Sequence, residues 1–342
     1  MRHVDGQKSV KEHKFKGIAI VGPTASGKTH LALSLAKHLN VEIVCCDSVQ
    51  VYRRFDIGSA KPTAAELKQA PHHMVDLVDW HESFDAAIYA EKARCVIDDI
   101  YSRNRIPLLV GGTGLYFRAL QGQAWHADLP KDEQLRNSLQ ARPTEDLYKQ
   151  LTKLDPARAK EVHPNDRFRV VRALEIFQLT GKSMKELARD DSLNKSAQSE
   201  PLSSETRASR LQNESTSELA AGEFYTIFLS PPRPDLHQRI ANRTEHMLQG
   251  GLIEEVEDLL SSGVNPECKP MQSIGYKQVA AHLAGTLPRE QLAMKIVVST
   301  RQYAKRQCTW FKKLSHQLVT ENYEVDAILH LLHDAGVYVT SS

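Results

Sequence analysis

A glycine-rich segment near the N-terminus, Gly22-Pro23-Thr24-Ala25-Ser26-Gly27-Lys28-Thr29, constrains this chain more than any other feature. It follows a short apolar run and precedes a helical pattern, the strand and helix that flank a phosphate-binding loop of spacing G-x-x-x-x-G-K-[ST]. Glycines let backbone N–H groups close around phosphate oxygens, and the helix N-terminus, Lys28 and a Mg²⁺ ion held by Thr29 add positive charge. The segment predicts polyphosphate binding and leaves the polyphosphate unspecified.

The bulk composition narrows the class of protein. The chain has 342 residues, 41% hydrophobic and 25% charged, as expected of a globular protein. Its net charge of +2 gives no overall attraction to nucleic acid, so an RNA partner would need local basic patches. Five scattered cysteines without a C-x-x-C pair predict neither a disulfide framework nor a zinc site. The polar N-terminus and the lack of a membrane-length apolar run predict a cytoplasmic protein without a membrane partner.

Alternating apolar runs and helical patterns predict an α/β fold, a P-loop NTPase-like parallel sheet core with an all-helical insertion domain. We expect a flexible N-terminal arm at 1–14, the P-loop core at 15–120 and the helical insertion at 121–189. A disordered Ser- and Glu-rich loop follows at 190–222, and residues 223–342 return to the core and add C-terminal helices. Buried strands are predicted at 17–21, 41–46, 106–110 and 224–229. One long helix is predicted over 236–261.

Two further strand ends carry candidate functional groups. Asp47 follows the second strand, and ligands of open α/β sheets bind outside the carboxyl ends of strands. Its carboxylate could hold Mg²⁺ through water, act as a general base on a second substrate, or only cap a turn. The third strand ends in the segment 111–114, whose three glycines fit either close approach by a ligand or a packing turn. No acidic residue ends that strand, which disfavours an ATP-hydrolysing motor.

Eight sequence blocks together resemble one family, the tRNA dimethylallyltransferases, also called tRNA isopentenyltransferases. They include GPTASGKT, DSVQVYRRFDIGSAKP, HHMVD, IPLLVGGTGLYFRAL and TRQYAKRQCTWFKK. The blocks follow one another in the family's order over about residues 16–315, which is far more specific than the loop alone. They occupy 22–29, 47–62, 72–76, 106–120, 163–183, 236–248, 272–278 and 300–313.

The resemblance implies a reaction and roles for residues. The family joins the five-carbon group of dimethylallyl diphosphate to the exocyclic N6 amine of the adenosine on the 3′ side of the anticodon. It implies that residues 22–29 hold the diphosphate, with Mg²⁺ as cofactor. Thr24, Asp47 and Arg243 would be catalytic, with Asp47 the base that accepts the amine proton. Ser48 and Gln50 would read the target adenine.

The implied partner is the anticodon stem-loop of tRNA, with no obligate protein partner and a monomeric enzyme. Clustered arginines, a Gly-Tyr turn beside a lysine, and basic groups beside aromatics at helical spacing are typical of contacts to RNA phosphates and bases. The predicted tRNA-binding residues are Asp47, Ser48, Val49, Gln50, Thr113, Arg136, Phe168, Arg169, Val170, Val171, Arg172, Gln272, Ser273, Ile274, Gly275, Tyr276, Lys277, Arg301, Lys305 and Arg306.

Three alternative functions follow from the same residues. A prenyltransferase acting on free adenine nucleotides would share the core but would not need the basic helical insertion. A P-loop small-molecule kinase explains the loop and leaves the blocks at 47–62 and 106–120 unexplained. A non-catalytic RNA-binding module would not require both Lys28 and Asp47.

Overall fold

The computed structural model describes residues 15–122, 129–187, 189 and 223–337. The chain divides into two compact units, residues 1–123 together with 218–342, and residues 124–217. The predicted arm at 1–14 and the predicted disordered loop at 190–222 lie outside the described residues.

A parallel sheet forms the centre of the first unit, which confirms the predicted α/β class. In the described part of the chain, six strands are ordered β3-β2-β4-β1-β5-β6, and every neighbouring pair is parallel. Three of them are buried along their whole length, which explains why they are continuous apolar runs rather than alternating patterns. The strands are β1 (Gly17–Val21), β2 (Val41–Cys46), β3 (His72–His73), β4 (Ile106–Gly111), β5 (Phe224–Leu229) and β6 (Leu318–Thr320).

Helices of the first unit connect and cover these strands. Before the second unit they are α1 (Lys28–Ala36), α2 (Ala64–Leu67), α3 (Ala86–Ser102) and α4 (Gly114–Leu120). After it they are α9 (Arg233–Gln249), α10 (Leu252–Ser261), α11 (Tyr276–Leu283), α12 (Arg289–Phe311) and α13 (Val325–Asp334). The residues 86–102 form a helix because Asp85 caps it, accepting hydrogen bonds from the backbone N–H groups of Ala87 and Ile88.

The single long helix predicted over 236–261 is wrong. The chain forms α9 and α10 instead, separated at Gly250 and Gly251. Gly251 has φ 98°, a left-handed conformation that glycine adopts without the steric cost of a side chain, and it precedes the first turn of α10. The helical hydrophobic pattern continues across Gly250 and Gly251, and for that reason it predicted one helix rather than two.

The strand registers bring three loops to one edge of the sheet. Gly111 at the end of β4 is in register with Val21 at the end of β1 and with Cys46 at the end of β2. The phosphate loop, Asp47 and the turn after β4 therefore start side by side. This is the edge at which open α/β sheets bind ligands.

The second unit, in its described part, is helical and has its own core. Its helices are α5 (Glu133–Gln140), α6 (Thr144–Leu154), α7 (Pro156–Glu161) and α8 (Arg167–Thr180). Leu147, Leu151, Val170 and Leu174 are buried together between α6 and α8. Aspartates cap three of these four helices, and each accepts a hydrogen bond from a backbone N–H of the first turn.

Candidate active site

Two cavities lie in the first unit at the carboxyl edge of the sheet. Their volumes are about 360 and 300 Å³. The phosphate loop lines the first cavity, and the turn at 272–275 with parts of α9 and α12 lines the second. Both share the same five lining residues, Thr24, Asp47, Ser59, Arg243 and Tyr303. The cavities therefore adjoin at the residues for which the sequence predicts catalytic roles.

The phosphate loop has the shape that its glycines predict. Gly27 has φ 97° and precedes the first residue of α1. Lys28 bends back over the loop, and its Nζ donates hydrogen bonds to the carbonyl oxygens of Gly22 at 3.1 Å and Pro23 at 2.7 Å. Loss of hydration, followed by the charge of Arg243, lowers the pKa of Lys28 to about 7. An anion in this cavity would restore the charged form of Lys28.

Arg243, on α9, faces both cavities without a partner. Among the described residues its guanidinium makes neither a hydrogen bond nor an ion pair, and loss of water lowers its pKa while Asp47 opposes that shift. An arginine that has lost part of its hydration and makes no direct ion pair lowers stability unless a ligand compensates for it. The arrangement indicates an anion-binding site that includes Arg243 and the neighbouring loop.

The structure shows Asp47 in one of the roles that its position allows, the cap of a turn, and leaves the carboxylate accessible for a second. Its Oδ1 accepts hydrogen bonds from the backbone N–H groups of Val49 at 2.8 Å and Gln50 at 3.3 Å, so the carboxylate does shape the turn after β2. Within the described ranges, its Oδ2 makes no hydrogen bond, and Asp47 lines both cavities. One oxygen is fixed by the backbone, and the other remains available to accept a proton.

Tyr303, on α12, has a position that sequence reasoning did not assign. It lines both cavities, beside Thr24, Asp47 and Arg243. Burial and the charge of Asp47 raise the pKa of Tyr303 to about 12. Tyr303 therefore stays neutral at the junction of the two cavities.

Gln307, one turn further along α12, was also missed. Its Oε1 accepts the backbone N–H of Thr24 at 2.8 Å, and its Nε2 donates to the carbonyl of Gly112 at 2.9 Å. A buried amide satisfied on both sides fixes the phosphate loop to the turn after β4. In the sequence, Gln307 is one of two glutamines in the basic segment 301–307, and nothing in that pattern distinguishes it.

The glycines after β4 are explained by packing. A Cβ at Gly111 would clash with the carbonyl of Cys46, one at Gly112 with Gln307, and one at Gly114 with the ring of Trp310. Protein atoms thus occupy the space next to all three glycines. The structure thus supports the packing turn, and because Gly111 and Gly112 also line the first cavity, the approach of a ligand stays a prediction.

The likeness to known proteins agrees with this geometry. A sequence model described as IPP transferase matches residues 50–314. The chain belongs to the IPP transferase family. A tRNA dimethylallyltransferase 1 of Trichlorobacter lovleyi is 43% identical over 302 residues, which are 87% of this chain and 91% of that protein. The tRNA dimethylallyltransferase of Geobacter sulfurreducens is 41% identical over 88% of this chain and 90% of its own.

Solved structures give the same result. The full-length tRNA isopentenylpyrophosphate transferase of Bacillus halodurans has a TM-score of 0.64 and 34% identity, and the match covers 94% of this chain and 97% of that one. A eukaryotic dimethylallyltransferase described as acting on tRNA has a TM-score of 0.66 and 29% identity, covering 87% and 70% of the two chains.

The fold of this IPP transferase family member buries some of the predicted tRNA contacts. Tyr276 is fully buried, and its hydroxyl donates to Glu255 Oε1 at 2.5 Å, so its ring cannot stack on a base. The Gln50 amide nitrogen donates to the carbonyls of Ser59 and Ala60, so that group is already used in shaping the cavity wall. The neighbouring predicted residues 272–275 do line the second cavity.

In the helical unit only part of the predicted RNA-binding set faces outward. Val170 and Val171 belong to the core, which corrects the prediction that their side chains contact RNA. Arg136 and Arg172 both pair with the buried Glu175 and are structural. Phe168 is 74% exposed, and the side chain of Arg169 is 63% exposed. An exposed phenylalanine beside an exposed arginine suits a surface that takes up a base and a phosphate.

Basic groups on α11 and α12 also face outward. Lys277 is exposed, as are Lys305 and Arg306, whereas Arg301 is half-buried. The guanidinium carbon of Arg306 lies 5.8 Å from the centre of the Tyr303 ring, and Arg306 lines the second cavity. Their predicted contact with tRNA stays a prediction, with a geometry that permits it.

The donor set suits a magnesium ion that arrives with phosphates. The described residues contain no group of three or more His, Cys, Asp or Glu that could cage a metal. Thr29 and Asp47 both line the first cavity. Because Mg²⁺ keeps several waters and commonly binds one or two protein oxygens plus substrate phosphates, this sparse set fits it.

Within the described ranges, no helix has both the length and the apolar character needed to cross a membrane.

Proposed function

We propose that this chain is a tRNA prenyltransferase that transfers the dimethylallyl group of dimethylallyl diphosphate to the N6 amine of the adenosine on the 3′ side of the anticodon. The observation that carries this proposal is the junction of the two cavities at Thr24, Asp47 and Arg243. One cavity has an anion-binding loop and the other has the groups expected around an acceptor. The names of the relatives supply the class of substrate.

The diphosphate of the donor occupies the first cavity. Loop N–H groups, Lys28 and the unpartnered Arg243 surround it, and all three attract negative charge. As the allylic C–O bond breaks, its electron pair moves to the diphosphate, so these groups interact more strongly with the transition state than with the ground state. Thr29 would hold a magnesium ion here, which would supply further charge neutralisation.

The acceptor adenosine occupies the second cavity, with its N6 amine at the junction. The nitrogen forms a bond to the allylic carbon as the C–O bond breaks, and the amine then carries an excess proton. Asp47 Oδ2 accepts that proton, while Oδ1 stays fixed by Val49 and Gln50. The products are N6-dimethylallyladenosine in tRNA, diphosphate, and a proton that leaves through Asp47.

An assay with two donors and two acceptors tests this function. The full chain is incubated with Mg²⁺ and either labelled dimethylallyl diphosphate or labelled ATP, with tRNA or AMP as acceptor. We expect label only in tRNA and only from dimethylallyl diphosphate. Label in AMP would support the free-nucleotide prenyltransferase instead. Phosphate transfer from ATP would support a kinase. A tRNA lacking adenosine at the target position is the matched control.

A further inference from the structure

The outer surface of the phosphate loop is held by donors from distant parts of the chain. A loop that points its N–H groups at an anion points carbonyl oxygens the other way, and those oxygens need donors of their own. Lys28, which itself faces the first cavity, donates hydrogen bonds to the carbonyls of Gly22 and Pro23 from within the loop. On α9, Arg239 supplies another, from Nη1 to the Ser26 carbonyl at 3.4 Å.

Tyr323, between β6 and α13, is a further donor. Its hydroxyl lies 3.3 Å from the carbonyl oxygen of Gly27 and 2.9 Å from Nδ1 of His30. Because a carbonyl only accepts, the hydroxyl donates to Gly27, and the hydrogen-bond network then assigns the proton on His30 to Nδ1, donating to the Tyr323 oxygen. The tyrosine thereby joins the last loop residue to the first turn of α1.

Binding of the anion affects the hydrogen bonds of Lys28 to the loop but not that of Tyr323. The diphosphate competes with the Gly22 and Pro23 carbonyls for the Lys28 ammonium, because that group faces the cavity. Tyr323 lines neither cavity, so its hydrogen bond to Gly27 is not drawn away when the site fills. When Lys28 turns toward the diphosphate, the loop keeps an external support at Gly27.

We propose that Tyr323 is a positioning residue for the diphosphate: it holds Gly27, and with it the N–H groups at the start of α1, in the geometry that binds the donor. This rests on the proposed function, because it names a further determinant of the same donor site. It also gives the C-terminal segment from β6 to α13 a role in binding the donor.

Titration of inorganic diphosphate, in the presence of Mg²⁺, tests the proposal without requiring turnover. We expect Tyr323→Phe to weaken diphosphate binding by about 3- to 10-fold, the loss typical of one hydrogen bond. The matched control is Tyr148→Phe in the helical unit, which also removes one hydroxyl bond to a backbone carbonyl, that of Ala159 at 2.9 Å. It should bind diphosphate within twofold of the parent chain.

Steady-state kinetics and a double variant sharpen the test. Tyr323→Phe should raise the KM for dimethylallyl diphosphate and leave the KM for tRNA unchanged, whereas general loosening would raise both. His30→Ala alone should weaken diphosphate binding about two- to threefold. In the Tyr323→Phe background it should have no further effect, because the path from His30 runs through the lost hydroxyl.

The outcomes separate this proposal from the proposed function. Unchanged diphosphate binding in Tyr323→Phe, or equal losses for diphosphate and tRNA, would overturn the positioning role even if the parent chain prenylates tRNA. Weaker diphosphate binding would support it even if the parent chain fails to prenylate tRNA. An additive loss in the double variant would place His30 on the diphosphate directly and contradict the path through Tyr323.

Discussion

At the scale of single residues, Asp47 separates a structural from a chemical role within one side chain. Asparagine retains the acceptor oxygen that caps Val49 and Gln50, so Asp47→Asn removes the charge and keeps the turn. We expect kcat to fall by about 10²- to 10⁴-fold, the usual cost of losing a general base, with tRNA affinity retained. Asp85→Asn is the matched control, because Asp85 caps α3 in the same way outside both cavities. Activity within threefold of the parent would refute the assignment.

Arg243 should strengthen binding of the donor without stabilising the ligand-free protein. Its guanidinium has no partner among the described residues, so Arg243→Gln should leave the melting temperature of the ligand-free protein unchanged or raise it. The same variant should raise the KM for dimethylallyl diphosphate about 10- to 100-fold, because a charge-assisted hydrogen bond is lost. Arg136→Gln gives the opposite comparison: it breaks the pair with buried Glu175 and should lower stability without changing diphosphate binding. A large fall in melting temperature for Arg243→Gln would argue for a structural role.

Lys28 predicts a pH dependence of donor binding. With a pKa of about 7 in the empty site, it is charged below pH 7 and loses its proton above it. Diphosphate binding requires the charged form, so binding takes up a proton and affinity should fall by up to about tenfold per pH unit above pH 7. Lys28→Arg stays charged throughout and controls for the ionisation of the diphosphate itself. Parallel affinity profiles from pH 6 to 9 for the two proteins would contradict this.

At the scale of elements, strand β2 carries a buried carboxylate, Glu42, near its N-terminal end. Glu42 bonds to Arg103, to Arg105 at 2.9 Å and to His73 at 2.7 Å. The hydrogen bond from Arg103 is the main reason that its pKa falls to about 2. A lowered pKa stabilises the folded state above the unfolded value, near 4.5, and that stability is lost as pH falls from 4.5 to 2.

Glu42→Gln tests this element directly. The variant should be less stable at pH 7 by about 1–3 kcal/mol, since the arginine partners are partly exposed and water screens them. Its stability should also change less than that of the parent between pH 4.5 and 2. Denaturant titrations at pH 7, 4 and 3 measure both effects. Glu145→Gln, which removes an exposed helix pair with Lys149, should leave the stability unchanged within the error of the measurement.

The longer strands could be predicted from the sequence, and the shortest ones could not. The strands at 17–21, 41–46 and 224–229 were placed at their observed bounds because each is a buried apolar run that ends at a turn. β3 and β6, with two and three residues, are too short to carry a period and were not predicted. Asp47 and the phosphate loop could be predicted because strand ends fix their position. Gln307 and Tyr323 could not, because their partners in the loops are 195 to 296 residues away in sequence.

At the scale of the whole molecule, the two units offer different surfaces. The first holds both cavities, and the second exposes Phe168 and Arg169 on α8. We expect the double variant Phe168→Ala/Arg169→Ala to weaken tRNA binding by about 10-fold or more and to flatten its salt dependence, with diphosphate binding unchanged. Lys149→Ala, an exposed lysine on α6, is the control. Loss of diphosphate binding in the double variant would refute the assignment of diphosphate binding to the first unit and of tRNA binding to Phe168 and Arg169.

The order of strands also determines when the sheet can form during translation. β1 lies between β4 and β5, yet β5 follows β1 by about 200 residues, with the whole helical unit translated in between. At about 5–20 residues per second, one side of β1 lacks its partner for about 10–40 s after β1 has been made. The nascent chain therefore presents an apolar, unpaired strand edge at the ribosome for most of its translation, which makes this interval the period in which a chaperone has most to protect.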